Sequence, residues 1–423
     1  MRAAGKATWL AGLMLGLTLA PTHADARSVA WVDQFGSRSS ESGTWGLDVF
    51  GNEIFTGGRT FGSLPGQASS GDADGWVRRT DARGAAVWTT QFGTPAWDNV
   101  EDVDAVSSGV YVLGATRGAL GGPRAGGTDG YLAKFDRDGH QVWATQFGVR
   151  QDDWAISVVE GKSGIYVYGQ TYGAFPGYEN HGGGDLFIAL VDLEGSLRWI
   201  HQFGSRGHEE PWAMEAAPHG VYVDGYTDGR LGDTRRGGWD AYVAFISADG
   251  RLVWLRQFGS AEDDYGSGLA ADASGVYVSG QTYGALPGAR NRGRSDAFVR
   301  KLSPTGSPVW TRQFGTKRHD RAGAAALVQG AVVVAGTTQG SFRGHENLGA
   351  ADVFARAFGS ADRESRWTLQ FGTTNRDTAG WAWGGGNRVY VIGDTSGAFP
   401  GETSSGSVDT YLARIDVIGS KRE

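Results

Sequence analysis

The sequence predicts an all-β fold, a seven-bladed β-propeller of four-stranded antiparallel blades, and three observations carry that prediction. Trp-x-x-Gln-Phe-Gly occurs seven times, at Trp31, Trp88, Trp143, Trp199, Trp254, Trp310 and Trp367, with spacings of 55 to 57 residues. Each copy is followed by a Gly-x-Thr, from Gly58-Arg59-Thr60 to Gly393-Asp394-Thr395. An Asp then opens an apolar run, at Asp74, Asp129, Asp185, Asp240, Asp296, Asp352 and Asp409. Periods of this length with strand-like content are the signature of propeller blades. Composition agrees: 70 Gly against 11 Pro, with 12% aromatic residues, suits many short strands joined by tight turns. The 40% hydrophobic content is enough for a core and excludes a disordered chain.

The unit that begins at Trp254 shows how one period makes one blade. Trp254-Leu-Arg-Gln-Phe-Gly is a strand, and residues 260–265 form a polar crossover. Residues 266–271 make a small-residue strand, and Asp272-Ala-Ser-Gly turns it into Val276-Tyr-Val-Ser-Gly-Gln-Thr, rich in β formers. Asp296-Ala-Phe-Val-Arg-Lys-Leu is the next strand, and Ser303-Pro-Thr-Gly leads to the next Trp strand. Seven small-residue strands suit the crowded axis, so the Trp strand is outermost. The chain past residue 26 starts with an outer strand and ends with a third strand. Residues 30–36 are therefore expected to pair with residues 409–416, completing the last blade and leaving no free sheet edge.

Residues 1–26 read as a secretory signal. Arg2 and Lys6 precede an uncharged apolar run, and Ala24-Asp25-Ala26 offers a cleavage site. The expected organisation is a signal peptide over 1–26 and one propeller domain over 27–423, periplasmic or extracellular, monomeric, with no membrane span after cleavage. There is no Cys, which excludes disulfides, thiol catalysis and Cys-ligated metals. A net charge of −7 argues against nucleic acid as a partner.

These repeats resemble the bacterial seven-bladed β-propeller repeat (SBBP) family. The likeness rests on Asp-Asp-Tyr at 263–265, Val-Tyr-Val-x-Gly at 276–280 and Asp-Ala-Phe-Val-x-Lys-Leu at 296–302, and it covers residues 30–419. It implies the fold and an exported protein, and no common catalytic residues. The chain departs from that pattern in its uniform Gln-Phe-Gly and in a long loop after each Gly-x-Thr. A weaker likeness is to quinoprotein repeats, where an Asp-x-x-Gly turn also precedes a Trp, as at Asp136-Arg-Asp-Gly139; those rings usually have eight blades.

The loops between each Gly-x-Thr and the next Asp run to 12 or 13 residues, whereas the other turns are minimal. Loops of that length tend to carry function, so their face is the expected site. Two residue sets mark it. Glu41, Asp98, Asp153, Glu209, Asp264, Asp320 and Asp377 stand seven positions after the Gln of each blade. They suit either a calcium-binding ring or caps on the crossover turns; recurrence in every blade favours caps. The second set varies: Trp45, Trp97, Trp154, Trp212, Tyr265, Trp381 and Trp383, with Lys317, Arg318, His319 and Arg321 in the sixth blade. Either these rings wedge between blades or they form a platform for sugars or peptides.

No hydrolase, zinc or phosphate-loop motif is present. His181, His208, His319 and His345 fall on the same face but in different blades. The expectation is an exported, non-enzymatic binding or scaffold propeller that recognises a protein or carbohydrate. Its candidate ligand-binding residues are Trp97, Trp154, Trp212, Tyr265, Trp381, Arg318 and His319, with no cofactor or metal. The alternative is an exported lyase or hydrolase working in the central funnel.

Overall fold

The computed structural model describes residues 27–232 and 235–417, without the side chains of residues 27, 44 and 45. The signal-like segment 1–26 and the indole of Trp45 thus lie outside the described residues. Seven separate four-stranded antiparallel sheets form the blades. In the second, the strands run Asp98–Val106, Gly109–Thr116, Asp129–Phe135 and Gln141–Phe147 from axis to rim. The seventh blade joins Asp377–Gly385, Arg388–Thr395 and Asp409–Val417 to the N-terminal strand Arg27–Phe35. Trp31 there faces Arg414 and Phe35 faces Thr410, so the ring closes as the repeat phase predicts.

Burial follows from this stacking. The second and third strands of a blade are sandwiched between neighbouring sheets, and Gly109–Thr116 and Asp185–Val191 are buried along their whole length. That is why they read as continuous β-formers without polar alternation. The core consists of apolar layers between blades; Tyr111, Leu113, Val167 and Phe187, for example, join the second blade to the third. No blade could bury its faces alone.

The repeated residues turn out to be fasteners. In the first blade Gln91 Nε2 donates to the Gly62 carbonyl at 2.9 Å and to Asp74 at 2.7 Å, while its Oε1 accepts the Leu64 amide at 2.9 Å. Gln146, Gln202, Gln257, Gln313, Gln370 and Gln34 repeat the arrangement. The apolar residue pinned this way is pushed into the core: Leu64, Phe175, Leu286, Phe342 and Phe399 are all buried. Much of each long loop is therefore structural, held by the Gln of each Trp-x-x-Gln-Phe-Gly. The Gly after Gln-Phe is needed because two carboxylates crowd it; a Cβ on Gly93 would sit 2.6 Å from Asp74 Oδ1 and 2.9 Å from Asp98 Oδ2.

The outer Trp residues tie each blade to the next. Trp88 Nε1 donates to the Arg137 carbonyl of the second blade at 2.8 Å, and its ring covers Gly139, whose φ of +86° favours glycine. Trp254 repeats this with Pro304 at 3.1 Å, and Trp310 with Ser360 at 3.3 Å. Trp310 is 6% exposed and belongs to a core cluster, whereas Trp254 is only partly buried. Trp310→Ala is expected to cost about 3–5 kcal/mol and Trp254→Ala less, measured by urea unfolding. Equal losses would mean that the bond to the neighbouring turn, and not burial, dominates.

Candidate functional site

The long loops and the crossovers between blades share one face, and the inner strands start there. The seven acidic residues that begin these strands are buried. Asp98 accepts the Thr94 amide at 2.6 Å, the Thr94 hydroxyl at 2.8 Å and the Thr116 hydroxyl. Asp320 repeats this with Thr316 and Thr338, and Glu209 with Ser205 and Thr227. The Thr of Gly-x-Thr is thus the hydroxyl partner of the acid, and the acids cap the crossovers. Burial raises the pKa of Asp153 and Asp264 to about 6, against these bonds, with Asp129 and Asp240 nearby adding to the rise. Among the described residues no group of three or more His, Asp or Glu is placed to hold a metal ion.

Side chains alternate along a strand, so the residues on either side of each acid face the other way. So do the middle residue of Gly-x-Thr and the residue after its Thr, which pair with them across the strands. These four positions vary from blade to blade and line the mouth of a central funnel. In blades one to five they carry, together with Trp239 at the end of the fourth long loop, a chain of rings. Trp97 meets Trp154 edge-on at 5.6 Å, and the guanidinium groups of Arg59 and Arg117 each lie 5.3 Å from the Trp97 ring. Tyr172 meets His208, which meets Trp239 at 5.8 Å; Trp239 continues to Tyr226, Tyr265, Tyr283 and His319 at 4.9 to 6.2 Å. Phe61, Tyr172 and Tyr283 are 48%, 40% and 39% exposed.

Of the residues expected at the site, Trp97, Trp154 and Tyr265 are partly buried and belong to this arc, and His319 ends it. Arg318 is exposed on the crossover beside His319, outside the pocket that His319 lines. Trp212 and Trp381 sit deeper. Trp381 packs against apolar clusters of blades four and five as well as those of blades six, seven and one, so it crosses the channel. With Trp212, Glu101 and Asp102 it lines a constriction. Trp383, one of the rings expected at the crossovers, is lower still, in a cavity of about 310 Å³ toward the short-turn end.

Above the constriction lies a pocket of about 530 Å³, lined by Ser42, Gln281, Tyr283, His319, Arg321, Thr337, Gln339, Arg376, Thr378, Ala379, Gly380 and Asp394. Arg321 crosses from the sixth blade to lie over the Trp212 ring of the fourth, at 5.4 Å. Arg321 reaches solvent in the funnel, yet the protein packed around it removes enough water to lower its pKa, and Arg376 adds to this while Tyr226 and Tyr283 oppose it. His319 Nδ1 lies 3.1 Å from Ser295 Oγ, which accepts from Gln281 at 2.8 Å. Burial lifts Asp394 to about 6, against the Gly43 amide and Arg59. The other histidines are engaged locally: His181 turns to Asp185, His208 to Glu210 at 2.7 Å, and His345 to the Thr368 carbonyl.

The short-turn cavity holds Asp48, Asp102, Asp104 and Glu215. Burial raises all four, Asp102 to about 7 and Glu215 to about 8. Sequence reasoning missed this acidic group, although acids within strands read as small and apolar were a signal. It also missed Arg59, Arg117, Tyr226, Tyr283 and Arg376, which aligning the variable positions of the seven repeats would have placed on one funnel.

No protein-family model matches the chain. It is 24% identical over 380 residues to the regulatory protein FlaEY of Caulobacter vibrioides, an alignment covering 75% of this chain and 38% of that protein. The chain thus spans less than half the length of this relative. Among solved structures it is similar to the Pan2 WD40 domain of Neurospora crassa, with a TM-score of 0.52, 10% identity, and coverage of 92% and 96% of the two chains. A quinohemoprotein alcohol dehydrogenase of Pseudomonas putida aligns over 94% of this chain and 77% of its own, with a TM-score of 0.48 and 10% identity. The likeness to the Pan2 domain concerns the fold alone. Among the described residues no helix is long and apolar enough to cross a membrane.

Proposed function

We propose that this protein is an exported, non-enzymatic binding or scaffold propeller of the SBBP repeat type that recognises a protein or a glycan at its funnel mouth. One observation carries the reading. Residues repeated in all seven blades are consumed in holding loops, crossovers and neighbouring blades together, while the unrepeated ones gather on one concave surface as a partly exposed arc of rings. Clustered exposed rings are unusual on a soluble surface and mark interaction sites. The distant likeness to a regulatory protein is in keeping with a role in binding. Export rests on the signal-like residues 1–26, and the motifs at 263–265, 276–280 and 296–302, in repeats covering residues 30–419, carry the family reading.

A glycan and peptide array probed with residues 27–423 tests the function. Replacing both Trp154 and Tyr283 by Ala is expected to weaken the captured ligand by more than about 2 kcal/mol, the scale of an anchoring ring, with little change in melting temperature. Binding that survives the double replacement would move the site off this face. Fractionation of cells expressing the full chain, with N-terminal sequencing, tests export: mature protein starting at residue 27 outside the cytoplasm is expected, and unprocessed cytoplasmic protein would refute it.

A further inference from the structure

We infer that the funnel pocket between blades five and one binds a carboxylate-bearing sugar, a hexuronate unit of an acidic glycan, through Arg321 and Arg376. This inference rests on the reading of the funnel mouth as a binding surface and names the class of ligand. Two cationic side chains share one pocket. Arg376 stands among the influences that lower Arg321, and neither makes an ion pair with a carboxylate among the described residues. Unpaired arginines are common in this chain, but these two face the same pocket, whereas Arg78, Arg79, Arg137, Arg198 and Arg414 are held by acidic partners. Two guanidinium groups lining one pocket, neither paired with a carboxylate, fit an anionic carboxylate ligand.

Arg321 is also held in place for such a role. Its head lies 5.4 Å from the Trp212 ring, which lines the constriction beyond the pocket, a cation–π contact that orients the planar fork. Around it the wall offers Gln281, Gln339, Thr337, Thr378 and Ser42, neutral donors and acceptors suited to hydroxyl groups. Asp394, already engaged by the Gly43 amide at 3.0 Å, adds an acceptor. No aliphatic side chain larger than Ala379 lines the pocket, so it has no socket for an apolar peptide anchor. Tyr283, 39% exposed at the rim, supplies a ring against which the C–H face of a sugar can lie. A volume of about 530 Å³ lies within the range of small-ligand pockets.

Calorimetry of residues 27–423 with trimers of galacturonate, mannuronate and guluronate, and with neutral galactotriose, tests this. At least one uronate trimer is expected to bind about tenfold or more tightly than galactotriose, the scale of a charge-assisted pair, and to weaken as salt is added. Arg376→Gln and Arg321→Gln, both at exposed residues, are each expected to remove most of that preference without moving the melting temperature. Equal binding of charged and neutral trimers, or a preference that Arg376→Gln leaves intact, overturns the inference. So does the absence of uronate binding when the array captures a peptide through Trp154 and Tyr283, in which case the binding function itself stands. An array blank for every glycan and peptide would count against that function as well.

Discussion

Deleting residues 27–36 is expected to abolish cooperative folding of the propeller. The strand Arg27–Phe35 is the outer strand of the seventh blade, and its loss uncovers the edge of Asp409–Val417. Phe35 is 8% exposed, meets Trp76 edge-on at 5.2 Å and lies under Arg78, which pairs with Asp33 at 3.0 Å. Gln34 is the fastener of the last long loop, bonding Gly397, Asp409 and the Phe399 amide. Trp31 covers the Gly84 turn of the first blade. Losing one buried aromatic costs about 3–5 kcal/mol and each ladder bond about 0.5–1.5 kcal/mol. Together these approach the roughly 5–15 kcal/mol that stabilises a typical domain, and the bare edge invites aggregation. Calorimetry and size-exclusion chromatography read the outcome. A permuted chain carrying residues 27–36 after residue 417 should recover the melting transition. A truncated protein that melts like the parent would show that the strand adds nothing to the ring.

Such closure was legible because a repeat read in phase states which strand each end of the chain lacks. The caps were legible for a related reason: an acid at one fixed place in every blade answers a backbone need that every blade has. What the sequence hid were depths and cross-ring contacts. Each inner strand carries an irregularity just inside its start, between Pro211 and Met214 in the fourth blade and between Ala379 and Trp381 in the seventh. An extra residue there changes which side chains face the axis. Counting from the acid puts Trp212 three residues on and Trp381 four, on opposite sides of the strand, although both line the constriction. The contact of Arg321 with Trp212 spans blades six and four, and no spacing within one repeat encodes it. Loop length misled in part: the 12 or 13 residues that suggested function also house a buried plug and its Gln clamp.

Stability is expected to fall as pH rises from about 4 to about 8, with the optimum on the mildly acidic side. Glu101 and Asp102 are raised to about 7, Glu215 and Asp224 to about 8, in every case chiefly by burial. For Glu215 the neighbouring Asp48 and Asp102 add to the rise, while for Asp224 the Ala213 amide at 2.9 Å and the Gly268 amide at 3.2 Å oppose it. Below pH 4 these carboxyls are protonated whether the chain is folded or not. Between pH 4 and 8 the unfolded chain releases its protons while the folded one keeps them, so stability declines through that window and levels off above it. One pKa unit corresponds to about 1.4 kcal/mol, and water in the channel will reduce the sum, leaving a loss on the order of 5 kcal/mol for the group. At the acid end the trend reverses, because turn carboxylates such as Asp81 and Asp136 are lowered by backbone amides and lose those bonds on protonation. Chemical denaturation at pH 5, 7 and 9 measures the slope. Asp224→Asn and Glu215→Gln, each neutral at every pH, should flatten it and make the protein more stable than the parent at pH 9. A parent chain whose stability rises from pH 5 to 9 would mean that these carboxylates are charged in the folded ring, and that the channel solvates them far better than its packing implies.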